Sequence, residues 1–290
     1  MTAARQTFLD ILDLERVDDN RFRGRSHRTT WRRVFGGQVL AQAVIAAARS
    51  VTGRPINSLH AYFVLPGDPE LPIDYVVEKV RDGSSFSVRR ITAIQADRPI
   101  FTASASFHRE EAGYEHQPSM PDVPPPGDLP DGEELMRTVL ADAPEQIRRY
   151  WRRDRPVDLR PTDAKAFAAG RREAVRSLWM RCIGPFPDGD HVHQAAIAYA
   201  SDLTLIDSTL MVHGTTVLSP QIQAASLDHA IWFHRPVRAD AWLLYWEEGP
   251  VAAGARGFAL GRFFTREGEL VASTAQEGLI RPRGGFAANA

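Results

Sequence analysis

The sequence predicts an α+β fold in which one structural unit occurs twice, each copy consisting of a buried helix followed by an antiparallel meander of strands. Three observations lead to this prediction. An alanine-rich segment without proline precedes strands of period-two hydrophobicity, the same order of elements returns in the second half, and a proline-rich stretch separates the halves. At 290 residues the chain is long enough for two such units.

The first helix is predicted within residues 34–53, VFGGQVLAQAVIAAARSVTG. Alanine is the best helix former, and glycines mark both ends of the segment, Gly36-Gly37 at its start and Gly53 at its end. Because the side chains in between are small, a sheet can pack closely around this helix. We therefore expect it to be buried.

Three strands are predicted after this helix, in PIDYVVEKVRDG, SSFSVRRITAIQADRP and PIFTASASFH. In the last of them the apolar residues Phe101, Ala103, Ala105 and Phe107 alternate strictly with polar ones. Such alternation is typical of a strand with one buried face. The first half therefore ends in an antiparallel meander.

The second half repeats this order, with an alanine-rich segment in 192–210 and then SLDHAIWFHRP, DAWLLYWEEG, GARGFALGRFFTREG and ELVASTAQEGLI. A shift of 170 positions aligns several residues of the two halves. The aligned pairs are Phe63 with Phe233, Pro66 with Pro236, Tyr75 with Tyr245, Ile100 with Leu270 and Ala105 with Ala275, and the same shift places Ser106 on Gln276. The chain is therefore interpreted as a duplication.

Residues 110–134 are predicted to be a linker, because they lack apolar periodicity and their prolines disfavour both helix and central strand. This divides the chain into an N-terminal domain at 1–109 and a C-terminal domain at 135–290. A bridging surface helix is expected in 134–150, with Leu135, Val139, Leu140 and Ile147 on its apolar face. A single alanine-rich helix wrapped by a curved antiparallel sheet is the hotdog arrangement, so the full prediction is a double hotdog of two antiparallel curved sheets, each around a central helix.

Composition and charge exclude several classes of function. Lysine plus arginine (35) nearly balances aspartate plus glutamate (36), so no general electrostatic attraction to nucleic acid is expected. Cys182 is the only cysteine, which rules out an internal disulfide and a cysteine-based zinc cluster and favours a reducing compartment. The N-terminal residues lack a signal-peptide pattern, and no uninterrupted apolar run is long enough to span a membrane. A cytoplasmic location is predicted.

Well-known catalytic and nucleotide-binding motifs do not occur. The sequence has no G-x-S-x-G elbow, no Walker A loop and no G-x-G-x-x-G fingerprint. His191 and His193, with Asp188 and Asp190 ahead of them, are one conceivable metal site. The favoured interpretation is a solvated loop that caps the second helix, so no metal and no cofactor are predicted.

Asp202, Ser226 and Gln276 are candidate site residues, although spacing alone favours a structural role for each. Asp202 shares a helix face with alanines, Gln276 lies on a strand face with Thr274, and Ser226 opens a strand. His229 and His234 are alternative bases, but their aromatic neighbours favour structural histidines. Arg89 and Arg90 are adjacent on one strand, so at most one of them can point into a site and contact a phosphate.

Five fragments in order, VFGGQVLAQA, RDGSSFSVRR, YASDL, SLDHAIWFHRP and VASTAQEG, resemble the acyl-CoA thioesterase II family (TesB-like) over nearly the entire chain. The resemblance implies a double-hotdog enzyme that hydrolyses fatty acyl-CoA to free acid and coenzyme A. It implies an Asp, a Thr or Ser, and a Gln around one water, and these map onto Asp202, Ser226 and Gln276. Ser226 stands where the bacterial pattern has Thr, and it keeps the hydroxyl. Since Ser106 occupies the repeat position of Gln276, one active site per chain is expected.

The expected mechanism has Asp202 take a proton from the water that attacks the thioester, while Ser226 and Gln276 orient it. Gly36 and Gly37 are candidate oxyanion donors at a helix start. One alternative is a double-hotdog enoyl-CoA hydratase, but the histidine expected five residues after the catalytic aspartate is replaced by Asp207. The other alternative is a non-catalytic acyl-CoA-binding regulatory protein. Acyl-CoA is the expected partner, and a homo-oligomer, a dimer of double hotdogs, is expected from the family.

Overall fold

The computed structural model describes residues 8–26, 33–138, 140–141, 145, 148, 156–163, 173–184 and 186–284. The helices used below are α1 (Phe8–Leu12), α2 (Gly36–Ala48), α3 (Gly132–Thr138) and α4 (Asp190–Ser201). The strands of the first half are β1 (Glu15–Arg16), β2 (Arg21–Gly24), β3 (Ile56–Phe63), β4 (Ile73–Asp82), β5 (Phe86–Gln95) and β6 (Arg98–His108). Those of the second half are β7 (Val157–Pro161), β8 (Val175–Cys182), β9 (Ile222–Ser226), β10 (Asp228–Phe233), β11 (Leu243–Ala253), β12 (Arg256–Phe264) and β13 (Leu270–Pro282).

All of these strands belong to one continuous antiparallel sheet, in the order β1-β2-β4-β5-β6-β3-β10-β13-β12-β11-β8-β7, with β9 also paired to β13. The two sheets expected from the sequence are therefore joined edge to edge through β3 and β10. At this junction His60 lies opposite Ala230, and Ser58 and Tyr62 lie opposite Trp232 and Asp228. Since 230 is 60 plus 170, the pairing is centred on residues that the repeat relates.

The duplication seen in the sequence corresponds to the strands of the structure. β4 begins at Ile73 and β11 at Leu243, while β5 begins at Phe86 and β12 at Arg256, each pair separated by 170 residues. The helices do not follow this offset, because α4 is followed by two 3-10 turns, Leu205–Thr209 and Met211–His213, before β9 begins. The helix predicted in 192–210 therefore ends earlier than expected.

Helices α2 and α4 lie side by side inside the curved sheet, with the start of α2 against the end of α4. Nearly every residue of α2 is buried. A Cβ added to Gly37 would lie 2.5 Å from the carbonyl oxygen of Tyr199, so the absence of a side chain at Gly37 permits this close approach. The alanine-rich composition recognised in the sequence is what lets two helices share the interior.

The proline-rich stretch lies across the outer face of the second half. After β6 ends at His108, the chain forms no helix or strand until a 3-10 turn at Pro126–Asp128. Gln117 bonds through its side chain to Gly268 and Leu270, and Trp179 donates a 2.8 Å hydrogen bond to the Pro124 carbonyl. The predicted linker thus covers a sheet face. The domain boundaries themselves stay a prediction, because the sheet runs through both halves.

Two other expectations concern helical segments. The surface helix expected in 134–150 is present in part as α3, which begins earlier and includes the buried Leu135; Val139 and Ile147 lie outside the described residues. By length and composition alone, with a mean hydropathy of 1.2, the helical segment His191–His213 could cross a membrane, although Asp202 and Asp207 interrupt its apolar residues. Since 67% of that window is buried within the protein, its apolar character is explained by the core.

Candidate active site

Asp202 is the residue at which α4 ends, and its carboxylate lies inside the protein. It is the C-cap of the helix, and its side chain is 4% exposed. The side-chain nitrogen Nε2 of Gln276 donates a 2.6 Å hydrogen bond to Oδ1, and the Ser226 hydroxyl donates one of 3.3 Å to the same atom. Burial raises the pKa of Asp202 to about 6, and these donors oppose that rise.

Ser226 and Gln276 also bond to each other, so the three side chains form a closed cluster. Gln276 Nε2 lies 3.0 Å from Ser226 Oγ. Gln276 is buried, and its side-chain oxygen Oε1 accepts no hydrogen bond within the described part of the chain. A buried acceptor without a partner costs free energy, so Oε1 is suited to receive a hydrogen bond from a small donor such as water.

A shift in strand register brings this cluster together. Ser226 lies opposite Gly278, and Ala230 lies opposite Ala275. Between these two pairs the chain advances by four residues on one side and by three on the other. This is the count of a β-bulge between β9 and β10. Because of the bulge, Ser226 and His229, three residues apart, both approach the carboxylate of Asp202.

The start of α2 forms the other side of the site. The backbone N–H of Gly37 hydrogen-bonds to the Asp202 carboxylate, and a Cβ on Gly36 would lie only 2.7 Å from Asp202 Oδ2. Both glycines are therefore at the site, as expected. Since the N–H of Gly37 is directed at Asp202, its position supports a role in holding the base and argues against the expected role as an oxyanion donor.

The structure places Arg89 and Arg90 away from this cluster, and their contact with a phosphate stays a prediction. Arg89 is buried and donates to Asp82 and to both oxygens of Ser50, which follows α2. The 13-residue helix separates Ser50 from Gly36 by about 20 Å. Arg90 points to the opposite face and pairs with Glu78 in solvent. Both guanidinium groups thus have carboxylate partners of their own.

The first half has no counterpart of the cluster. Strand pairing gives Ala105 as the counterpart of Gln276, because Arg89 lies opposite Ala105 and Ala259, 170 positions later, lies opposite Gln276. The expected match of Ser106 with Gln276 is therefore wrong by one residue, and the C-cap of α2 is Arg49 where that of α4 is Asp202. Arg89 corresponds in the repeat to Ala259, which lies directly opposite Gln276. The large buried side chain of Arg89 thus stands where the second half has a methyl group beside its cluster.

The histidines fall into two groups. The buried His229 lies beside the cluster, with Nδ1 4.0 Å from Asp202 Oδ1, and the aromatic neighbours gave no indication of this. His234 lies near the surface and bonds to Ser273. At the conceivable metal site, His193 Nδ1 accepts a hydrogen bond from the Ala239 backbone, and within the described residues no group of three or more potential ligands is placed to hold a metal ion.

A buried ionic network, which the sequence interpretation missed, holds the turn after Asp202. Arg176 bonds to the fully buried Glu247 and to the carbonyl of Thr204, whose hydroxyl also donates to Glu247. Asp207 lies 3.5 Å from Arg176 and accepts hydrogen bonds from Thr216 and Val217. The position that would carry histidine in the hydratase is therefore part of this network. The sequence signal for this network was Glu247, an acidic residue that lies two positions after Tyr245 and therefore on the same, apolar strand face.

Both halves of the chain are similar to known proteins. The family model described as "Acyl-CoA thioesterase" matches residues 148–279, and "Acyl-CoA thioesterase N-terminal domain" matches residues 25–108. Acyl-coenzyme A thioesterase 8 of Homo sapiens is 41% identical, covering 93% of this chain and 88% of its own. Acyl-CoA thioesterase 2 of Haemophilus influenzae is 38% identical, covering 94% and 96%.

Solved structures are similar over the same extent. The crystal structure of an acyl-CoA thioesterase II TesB2 from Mycobacterium marinum has a TM-score of 0.79 and 37% identity, and covers 96% of this chain and 99% of that one. A protein with a hot dog fold from Alicyclobacillus acidocaldarius has a TM-score of 0.74 at 22% identity, covering 94% and 97%, and supports the fold alone.

Proposed function

The chain belongs to the acyl-CoA thioesterase II family and hydrolyses acyl-CoA thioesters, and from this premise we propose that Asp202, Ser226 and Gln276 perform the hydrolysis. The observation that carries the proposal is the convergence of Gln276 Nε2 and Ser226 Oγ on one oxygen of a buried carboxylate. Two fixed donors hold that carboxylate in a single orientation. A base held in one orientation is what general-base catalysis requires.

The basicity of Asp202 suits this role. Burial raises the pKa of its carboxyl to about 6, which makes it a stronger base than an exposed aspartate while leaving it mostly ionised at neutral pH. The neutral Gln276 amide and the Ser226 hydroxyl add no charge that would lower this pKa further. We assign the proton-accepting step to Asp202.

The reaction then proceeds without an acyl-enzyme. Asp202 accepts a proton from water as the water oxygen attacks the thioester carbonyl carbon, and the free Oε1 of Gln276 accepts the water's second hydrogen. The tetrahedral intermediate collapses, the carbon–sulfur bond breaks, and the thiolate of coenzyme A takes the proton from Asp202. The products are a carboxylic acid and coenzyme A. Ser226 bonds to both the Asp202 carboxylate and the Gln276 amide and so fixes their relative positions.

Substitution of Asp202 by asparagine tests the assignment. General-base assistance contributes about 10²–10⁴-fold, so Asp202→Asn should lose activity by that factor in an assay of thiol release with a disulfide reagent. Asp228→Asn is the matched control, because Asp228 is a partly buried carboxylate on the adjacent strand that bonds to the backbone N–H of Glu277. An Asp202→Asn enzyme that kept more than half of its turnover would refute the assignment, as would a burst of thiol release stoichiometric with enzyme.

The hydratase and the non-catalytic alternatives are not favoured. Relatives that cover nearly the whole chain at about 40% identity carry thioesterase names. Asp207 is bound within the Arg176 network and lies where the hydratase needs histidine. We propose fatty acyl chains as the natural acyl group, and thiol release measured over a series of chain lengths would identify the preferred one.

A homodimer of double hotdogs and a cytoplasmic location complete the proposal. The homodimer is proposed from the resemblance to the family, and light scattering would give the mass in solution. The location is supported by the single cysteine, Cys182, because disulfide frameworks are typical of exported proteins. Fluorescence microscopy of the tagged full-length chain would test it.

A further inference from the structure

His229 is a buried titratable residue that the proposed mechanism leaves without a role. It is the second residue of β10, fully buried, and follows the bulge that also directs Ser226 toward Asp202. Its ring nitrogen Nδ1 lies 4.0 Å from Asp202 Oδ1 and has no hydrogen-bond partner among the described residues. A buried polar atom without a partner is costly and points to a function.

The other ring nitrogen determines which tautomer is present. Nε2 lies 2.8 Å from the hydroxyl of Ser201, and that hydroxyl donates its only hydrogen to the Ala198 carbonyl. Ser201 Oγ is therefore the acceptor, and Nε2 carries the proton. In the neutral ring this leaves Nδ1 unprotonated, with its lone pair directed toward Asp202.

The approach of His229 to Asp202 is not an ion pair. Burial lowers the pKa of His229 to about 3, so the ring is neutral near pH 7. With Asp202 ionised, two acceptors face each other. When Asp202 becomes protonated, closure by about 1 Å allows its carboxyl to donate a hydrogen bond to Nδ1.

We propose that His229 is a positioning residue for the base: its Nδ1 accepts a hydrogen bond from Asp202 only after Asp202 has taken the proton of the attacking water. This inference rests on the assignment of Asp202 as the base. The hydrogen bond forms as the proton moves, so it favours the transition state over the resting enzyme. The proton stays on Asp202 until the thiolate of coenzyme A takes it, and no other reactant is needed.

The other groups around Asp202 do not supply this acceptor. From β11, Tyr245 packs near the end of α4 with its hydroxyl bonded to Thr274 and the Ser201 carbonyl. Behind Tyr245, Arg176 and Glu247 pair with each other and bond to Thr204, not to Asp202. From α2, the site receives the backbone of Gly36 and Gly37. Gln276 and Ser226 donate. Within the described residues, His229 is the titratable side chain that faces Oδ1 as an acceptor.

Two substitutions change what stands at the Nδ1 position. The wild-type protein has a hydrogen-bond acceptor there, His229→Gln has no group, and His229→Asn has a donor. His229→Gln keeps an amide near Nε2 to bond with Ser201 and removes Nδ1. We expect kcat to fall about tenfold, KM to change less than about twofold, and the acid limb of the kcat profile to move down by about one pH unit, because protonated Asp202 loses its acceptor. His229→Asn places an amide near Nδ1 that donates to the carboxylate, so its acid limb should lie lower still.

His234→Gln is the matched control, since His234 follows the same strand, bonds to Ser273 and should leave kcat and the acid limb unchanged. If both His229 variants retain the wild-type acid limb, the inference is wrong, even if their melting temperatures fall. Nitrogen-15 spectra of the wild-type protein provide a measurement that is independent of activity. We expect an unprotonated Nδ1 and a protonated Nε2 for His229 from pH 6 to 9, and the opposite tautomer would overturn the proposal.

The same experiments separate this inference from the assignment of the base. An active Asp202→Asn enzyme would refute the base itself, whatever His229 does. An inactive Asp202→Asn enzyme together with a His229→Gln enzyme of wild-type pH profile would refute only the role of His229.

Discussion

Gln276 donates a 2.6 Å hydrogen bond to the carboxylate of Asp202, although 74 residues separate the two in the chain. The bond joins the end of the central helix of the second half to its longest strand, β13. It opposes the rise in the pKa of Asp202 that burial causes. The amide therefore sets both the orientation and the basicity of the carboxylate.

Gln276→Ala should lower kcat about a hundredfold, because the carboxylate loses its shortest donor and the water loses an acceptor. Since the Gln276 hydrogen bond lowers the pKa of Asp202, its removal should also move the acid limb of the kcat profile to higher pH. The pH dependence of thiol release measures both effects. Gln223→Ala, on an exposed position of β9, is the control, and an acid limb that moved to lower pH would contradict the prediction.

Asp202→Asn should stabilise the protein at pH 8. The pKa of Asp202 is raised in the folded state to about 6, so the stability associated with this group is present at low pH and is lost as pH rises through about 6. The amide avoids this loss, which gives a gain of at most about 3 kcal/mol in unfolding free energy. Thermal denaturation between pH 4 and pH 8 should show the gain disappearing as pH falls.

Asp240→Asn should lower the free energy of unfolding at pH 8 in the same denaturation series, the opposite of the effect expected for Asp202→Asn. Hydrogen bonds from Arg238 lower the pKa of Asp240, so its contribution to stability is present at pH 8 and is lost as pH falls. A destabilised Asp202→Asn protein at pH 8 would mean that its hydrogen bonds outweigh the cost of its burial.

Gly36→Ala should lower kcat tenfold or more and cost about 1–3 kcal/mol of stability, because the added methyl group overpacks a buried site. The added Cβ would lie 2.7 Å from Asp202 Oδ2 and 2.9 Å from a ring carbon of Phe63, so the carboxylate must move. A displacement of under 1 Å is enough to impair a positioned base. Gly127→Ala, where a Cβ meets no atom within 4 Å, should have wild-type activity. Equal activities of the two variants would show that the carboxylate tolerates the added methyl group.

Arg89→Met should reduce stability and leave KM for acyl-CoA unchanged. The buried guanidinium bonds to Ser50, Asp82 and two backbone carbonyls, and loss of such bonds costs about 1–3 kcal/mol for each group left unpaired. Arg90→Met, on the exposed face of the same strand, should change neither quantity. A raised KM for Arg89→Met, measured beside its urea denaturation curve, would support the phosphate contact expected from the sequence.

The strands were predictable because their alternation and the 170-residue offset are local properties of the sequence. The approach of Asp202, Ser226 and Gln276 to one another was not predictable. It depends on a bulge between β9 and β10, and no residue type at positions 227–229 indicates a bulge. Spacing alone favoured structural roles for all three, and only the family resemblance selected them. Burial of Arg89 was equally hidden, since its partners Ser50 and Asp82 come from other elements.

The antiparallel β3–β10 junction has the geometry of a two-fold interface, with His60 and Ala230 at its centre. In a homodimer of identical chains, a substitution beside the catalytic aspartate would change both active sites. In the fused chain the two copies vary independently, so loss of one site leaves the other intact. A buried arginine at position 89 is therefore compatible with an active site in the second half, to which the first half contributes the start of α2.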